Sequence, residues 1–212
     1  MNSVSAPGND SSGTSSRFPL AAFDVVALAA SAGGLTALGQ VLTGLPSDFP
    51  ATIVVVQHLD PRHRSLMADI LSRRTKLQVK QAEEGDHLAP ATVYIAPPNR
   101  HLLVNSDGSL SLSQSELVHF VRPSADLLFE SVAASYKDRA IAVVLTGTGS
   151  DGAMGVQAIK KMGGTVIVQD EKTSEFFGMP GAAIQTGSTD FVLPLDEISS
   201  ALVTPVMKGG VE

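Results

Sequence analysis

Three polar side chains stand just past continuous apolar runs. Ser31 follows DVVALAA at Asp24–Ala30, and His58 follows TIVVVQ at Thr52–Gln57. Asp151 lies in TGTGSDG, Thr146–Gly152, behind AIAVVL at Ala140–Leu145. A serine hydroxyl is inert near neutral pH until a base takes its proton, and a third group must orient that base. Imidazole, with an ordinary pKa of about 6.5, is the side chain suited to be the base. A carboxylate is suited to orient it. Together the three types fit nucleophilic acyl transfer. Ala29, Ala30, Ala32, Gly33 and Gly34 surround the serine and would let a substrate approach the backbone. The N–H groups near Ala32 and Gly33, opening the next helix, could hold an oxyanion. Each residue also has a plainer role. Ser31 could cap the helix, His58 could sit on the surface, and Asp151 could serve an ordinary Ser-Asp-Gly turn.

Other chemistries fit less well. The segment has neither G-x-G-x-x-G nor a G-K-[ST] phosphate loop. The order Ser, His, Asp differs from the Ser, Asp, His of α/β-hydrolases, and Ala29 replaces the first glycine of their G-x-S-x-G elbow. His63 lies between Arg62 and Arg64, His87 in a polar turn, His101 at the start of a hairpin strand, and His119 before Arg122-Pro123, where it could reach a cleft rim. None has the H-E-x-x-H spacing of metal ligands, so neither a metal nor a cofactor is expected. Cysteine is absent, which removes thiol catalysis and leaves a weak hint of the cytoplasm. The net charge of −6 argues against nucleic acid. No run approaches the roughly 18 apolar residues of a membrane span, and MNSVSAPGNDSSGTSS lacks a signal peptide's pattern, so no membrane insertion is expected.

The elements that position these residues can be read from periodicity. With 212 residues, 43% of them hydrophobic, the chain suits one domain plus a tail. Residues 1–17 are polar and small and are expected to be a disordered tail; residues 18–212 are expected to form the domain. Strands are expected at Asp24–Ala30, Thr52–Gln57, Thr92–Ala96, Ala140–Leu145, Thr165–Gln169 and Phe191–Leu193. Helices are expected from Gly34 to about Leu42, at Ser65–Arg74, Ser124–Tyr136, Ala153–Met162, Pro180–Thr186 and Glu197–Thr204. His101–Asn105 and Leu110–Leu112 flank an Asp107-Gly108 turn and read as a hairpin. Alternating strands and helices predict an α/β fold, a doubly wound, mainly parallel sheet with helices on both faces and the hairpin at one edge. In such sheets, sites form beyond the strands' carboxyl ends, where all three candidates stand.

The motifs VVALAASAGG, VVVQH, YIAPPNRHL, RPSADLLFESVA, VVLTGTGSDGAMG and FFGMPGAA, in this order, resemble the catalytic domain of the chemotaxis protein-glutamate methylesterases (CheB-type). The resemblance runs from about Asp24 to Ser200. It implies hydrolysis of glutamate γ-methyl esters, and deamidation of certain glutamines, on chemoreceptors or related signalling proteins. It places nucleophile, base and acid on Ser31, His58 and Asp151, without a cofactor. Three departures stand out. Ala32 replaces a threonine of the family's G-A-S-T-G-G, and Thr148 replaces the methionine of L-T-G-M-G. The receiver domain that usually precedes the catalytic domain has no counterpart in the short tail, which implies a stand-alone domain and possible control by a separate receiver or sensory protein. The first two changes bear on rate and substrate preference, with Ala32, Gly33 and Thr148 in the substrate's vicinity. Two other readings remain: a catalytically weak binding module of a sensory pathway, and a small-ester hydrolase. Arg62, Arg64, Arg73 and Arg74 form a basic cluster that is either a solvated face or an attractor for an acidic helix.

Overall fold

A computed structural model of the chain describes residues 24–58 and 65–207. The expected tail, the first six residues of the expected domain, and Arg62, His63 and Arg64 lie outside the described residues. In chain order the elements are β1 (Val25–Ala30), α1 (Gly34–Thr43), β2 (Thr52–Gln57), α2 (Met67–Ser72), β3 (Gln78–Gln81), β4 (Thr92–Ile95), β5 (His101–Val104) and β6 (Leu110–Ser113). They continue with α3 (Ala125–Tyr136), β7 (Ala140–Val144), α4 (Ala153–Lys161), β8 (Thr165–Gln169), α5 (Gly178–Gln185), β9 (Phe191–Leu193) and α6 (Leu195–Met207).

Seven strands form one sheet in the order β3-β4-β2-β1-β7-β8-β9, and every pairing is parallel. Parallel strands covered on both faces must be apolar throughout, and β1, β2, β4 and β7 are buried at every residue. The pleat divides β1 between two cores. Val26, Leu28 and Ala30 face α1, α2 and α6; Val25, Ala27 and Ala29 face α3, α4 and α5. The sheet is therefore doubly wound, as the alternation predicts.

Two features differ from expectation. The hairpin β5–β6 forms its own two-stranded sheet instead of joining an edge of the large one. The edge beside β4 is already taken by β3, and Leu102, Val104 and Leu110 of the hairpin are buried in the α3 core. Strand β3 itself has no apolar run to reveal it: Gln-Val-Lys-Gln is exposed or half-buried at every position.

Helices α3 and α4 pack very closely where they face the site. A Cβ on Gly155 of α4 would come within 2.6 Å of Phe129 Cβ and 3.1 Å of Asp126 Cα. Real cores do not tolerate such contacts, so Gly155→Ala should force the helices apart and cost about 1–3 kcal/mol. Chemical denaturation measures this, and an unchanged midpoint would show that the helices separate freely.

Candidate active site

Ser31 leaves the sheet from β1, the strand that lies between β2 and β7. The register pairs Ala30 with Gln57, and the His58 N–H donates to Ala30 O at 3.1 Å. The Ser31 N–H donates to Thr146 O at 3.0 Å. Strand β1 connects to β2 through α1 on one face, and β7 connects to β8 through α4 on the other. Ser31 thus stands at the topological switch point, where the helices leave room for a crevice.

The turn after Ser31 is tight. Gly33 has φ 77° and ψ −5°, a left-handed conformation that glycine adopts without a Cβ penalty, and the Gly34 N–H donates to Ser31 O at 2.9 Å. Helix α1 has no side-chain cap, and its N-cap residue is Gly33. Ser31 is therefore not a capping serine. Its hydroxyl makes no hydrogen bond among the described residues, and neither does the N–H of Ala32 or Gly33.

His58 is no surface histidine. Its side chain is 13% exposed, and Nε2 lies 2.8 Å from Asp151 Oδ2. Asp151, 3% exposed, is no mere turn residue. Its Oδ2 also accepts from the Ala125 N–H at 2.6 Å, while Oδ1 accepts from Ser124 Oγ at 2.8 Å and the Asp126 N–H at 3.1 Å. The carboxylate is seated on the N-terminus of α3, where free N–H groups and the helix dipole favour negative charge. Burial pushes the Asp151 carboxyl up, but the hydrogen bonds from His58, Ala125 and Asp126 outweigh it, and the net direction is down.

Asp126, in the first turn of α3, mirrors this arrangement and was not singled out from the sequence. Its Oδ1 accepts from the N–H groups of Gly152 and Gly155, at 2.9 and 2.7 Å, at the start of α4. Each helix thus receives a carboxylate carried by, or just ahead of, the other. Burial raises the Asp126 carboxyl, and the Asp151 charge adds to this, against the two backbone hydrogen bonds. Among the described residues its Oδ2 has no hydrogen bond; the half-exposed His119 ring approaches to 3.3 Å without hydrogen-bond geometry. His101 is buried and structural. Its Nδ1 accepts from the Ser124 N–H at 3.2 Å and Nε2 donates to Glu116 O at 3.0 Å, while burial holds its pKa down in the neutral form. The His87 ring bonds Gly85 O in its own turn.

Two glutamines that close apolar strands were also passed over. The Gln57 amide donates to Ser31 O at 2.7 Å and to His58 O at 3.0 Å, tying the serine turn to the histidine. Gln169 accepts from the Thr146 N–H at 2.8 Å and donates to Thr173 O at 2.8 Å. A polar amide ending a buried run was the signal available for both. Gly34, read as room for substrate, instead leaves space for Gln57 and the Ala30 methyl.

The rim is open. Thr148 and Ser150 are exposed, and so are Met154, Phe176 and Phe120 on the surrounding loops and helix start. Two grooves of about 770 and 780 Å³ lie along α6, against α1 and beside β8–β9, and include none of the three residues. The basic cluster divides. Arg73 and Arg74 end α2 near the amino ends of the strands, with Arg74 O accepting from Thr43 Oγ1 at 2.8 Å where α1 ends. They cannot flank a cleft at the carboxyl ends, because α2 runs back along the sheet. No helix among the described residues is long and apolar enough to cross a membrane.

The lowered Asp151 carboxyl has a thermodynamic consequence. Its stabilisation is complete above the unfolded value of about 3.9 and is lost as pH falls through the lower folded value. Asp126, shifted upward, acts in the opposite sense, so total stability mixes the two. The difference between wild type and Asp151→Asn isolates the first. It should be about 2–3 kcal/mol at pH 7 and shrink below about pH 4. Urea denaturation across that range checks it; a constant difference would mean that Asp151 carries no charge-dependent stability.

Comparison with known proteins places the chain in a family. Residues 26–202 match the family model described as CheB methylesterase. A relative from Leptospira interrogans is 41% identical over 181 residues, covering 85% of this chain and 94% of its own length. The protein-glutamate methylesterase/protein-glutamine glutaminase of Moorella thermoacetica is 42% identical over 88% of this chain, and the protein-glutamate methylesterase FrzG of Myxococcus xanthus 44% identical over 85%. The chain spans only 45% and 54% of those two proteins. The crystal structure of the Thermotoga maritima CheB methylesterase catalytic domain superposes with a TM-score of 0.83 at 39% identity, covering 86% of this chain and 98% of that one. With the family model spanning nearly all of the sheet and these identities behind it, the chain belongs to the CheB methylesterase family.

Proposed function

We propose that the chain is a protein-glutamate methylesterase in which Ser31 is the nucleophile, His58 the base and Asp151 the orienting acid. One observation carries the assignment of roles: a buried carboxylate 2.8 Å from the ring of a strand-end histidine, beside an uncapped strand-end serine. With Nε2–H donated to Asp151, the ring presents Nδ1 as the nitrogen able to take a proton. Hydrogen bonds between nucleophile and base are often completed only when substrate docks, so the unbonded Ser31 hydroxyl is compatible with this role.

In this mechanism Ser31 Oγ attacks the γ-ester carbonyl as its proton passes to His58. The N–H groups of Ala32 and Gly33, free of other acceptors among the described residues, receive the developing oxyanion. His58 then protonates the departing methoxy group, and methanol leaves a glutamyl ester on Ser31. Water, deprotonated by His58, attacks that ester and releases the γ-carboxylate. Asp151 fixes the ring tautomer and stabilises the imidazolium. Deamidation of a glutamine follows the same path with ammonia as leaving group. The exposed rim suits an ester presented on a protein surface, and Thr148 stands on that rim. The substrate in this reading is a methylated chemoreceptor or related signalling protein, met in the cytoplasm, with control by a separate receiver or sensory protein.

Ser31→Ala should reduce kcat by on the order of 10³–10⁶ and leave the fold intact, since the hydroxyl it removes holds no other group. Methanol release from methylated receptor cytoplasmic segments measures turnover, and a serine-directed phosphonate titrates the nucleophile. A variant that keeps a tenth or more of wild-type turnover would remove Ser31 from the mechanism.

A further inference from the structure

The loop between β8 and α5 is stitched to the loop after β7. The Gly147 N–H donates to Phe176 O at 2.9 Å, and the Phe176 N–H donates to Thr146 Oγ1 at 2.9 Å. These bonds press the preceding residue, Glu175, onto the turn that follows Ser31. A Cβ on Gly33 would meet Glu175 Oε2 at 2.7 Å and Glu175 Cβ at 3.1 Å. The carboxylate therefore lies against the backbone of Gly33, two residues from Ser31. It is exposed, and among the described residues it forms no hydrogen bond and no ion pair. The only described members of the basic cluster, Arg73 and Arg74, are at the opposite end of the sheet.

A carboxylate with no partner among the described residues, held on the turn after Ser31, leaves its charge to act on whatever enters. A neutral methyl ester bears no penalty, whereas a carboxylate beside it meets a like charge, and a lysine or arginine beside it meets an opposite one. The carboxylate formed by hydrolysis is repelled in the same way.

We propose that Glu175 is a specificity-determining residue that directs this site to glutamyl methyl esters flanked by basic side chains and away from those flanked by acidic ones. This rests on Ser31 being the nucleophile.

Two synthetic peptides of equal length test it, each carrying one glutamate γ-methyl ester, flanked by lysines in one and by glutamates in the other. Methanol release gives kcat/KM for each at about 20 mM and about 500 mM salt, a range over which screening contracts from tens of ångströms to a few. The wild type should favour the lysine peptide by about two- to fivefold at low salt, the range of exposed charge pairs. The preference should be mostly lost in Glu175→Gln and partly kept in Glu175→Asp, and it should fade in the wild type at high salt. A preference undiminished in Glu175→Gln, or none in the wild type, overturns the assignment while leaving Ser31 in place. A wild type that hydrolyses neither peptide and resists phosphonate labelling overturns the Ser31 reading as well.

Discussion

The seating of the Asp151 carboxylate on the first turn of α3 is the constraint on which the site depends. Burying a carboxylate is costly unless its lone pairs are matched, and here four donors match them: Ser124 Oγ, two backbone N–H groups and the His58 ring. Three of the four come from the start of a helix, so the carboxylate stays ionised in a place from which water is largely removed. Because Asp126 returns the favour at the start of α4, the loop carrying Asp151 is held from both ends. Truncating either carboxylate leaves buried N–H groups unmet on the partner helix, so the pair acts as a unit that fixes the distance between α3 and α4.

The parallel sheet supplies the other half of the geometry. Adjacent parallel strands end at the same level, so equal extension of β1, β2 and β7 brings Ser31, His58 and Thr146 side by side. Backbone pairing alone would leave the loops beyond the strands to wander. Gln57 and Gln169 prevent this by carrying the ladder one step past the last strand residue, through side-chain amides that imitate backbone donors and acceptors.

The sequence made the parallel α/β class and the meeting of polar residues at the strand ends legible because both follow from one pattern, apolar runs of about six residues ending in a polar residue. Phe191–Leu193 and Thr165–Gln169 were legible to the residue because β-branched and aromatic side chains crowd into short runs there. Strand β3 was not, since an edge strand with polar residues on both faces has no periodicity to see. The hairpin was recognised from its turn, but its docking was not, because partner choice depends on which edge another strand has already occupied. Asp126 was invisible for a different reason. An aspartate in a helix's first turn looks locally like a dipole partner for its own helix, and only the closeness of α4 reveals that it serves another.

The His58–Asp151 contact joins residues 93 positions apart. During synthesis, Ser31 and His58 emerge early, yet the His58 ring has no carboxylate to hold it until α3 and the loop carrying Asp151 have left the ribosome and docked. Translation supplies about 5–20 residues per second, so the 93-residue gap lasts on the order of 5–20 s. A growing chain therefore exposes a serine and an imidazole without the carboxylate, and the three are brought together only with the closing of the α3–α4 pair. The His58–Asp151 contact is in this sense a built-in certificate of completed folding.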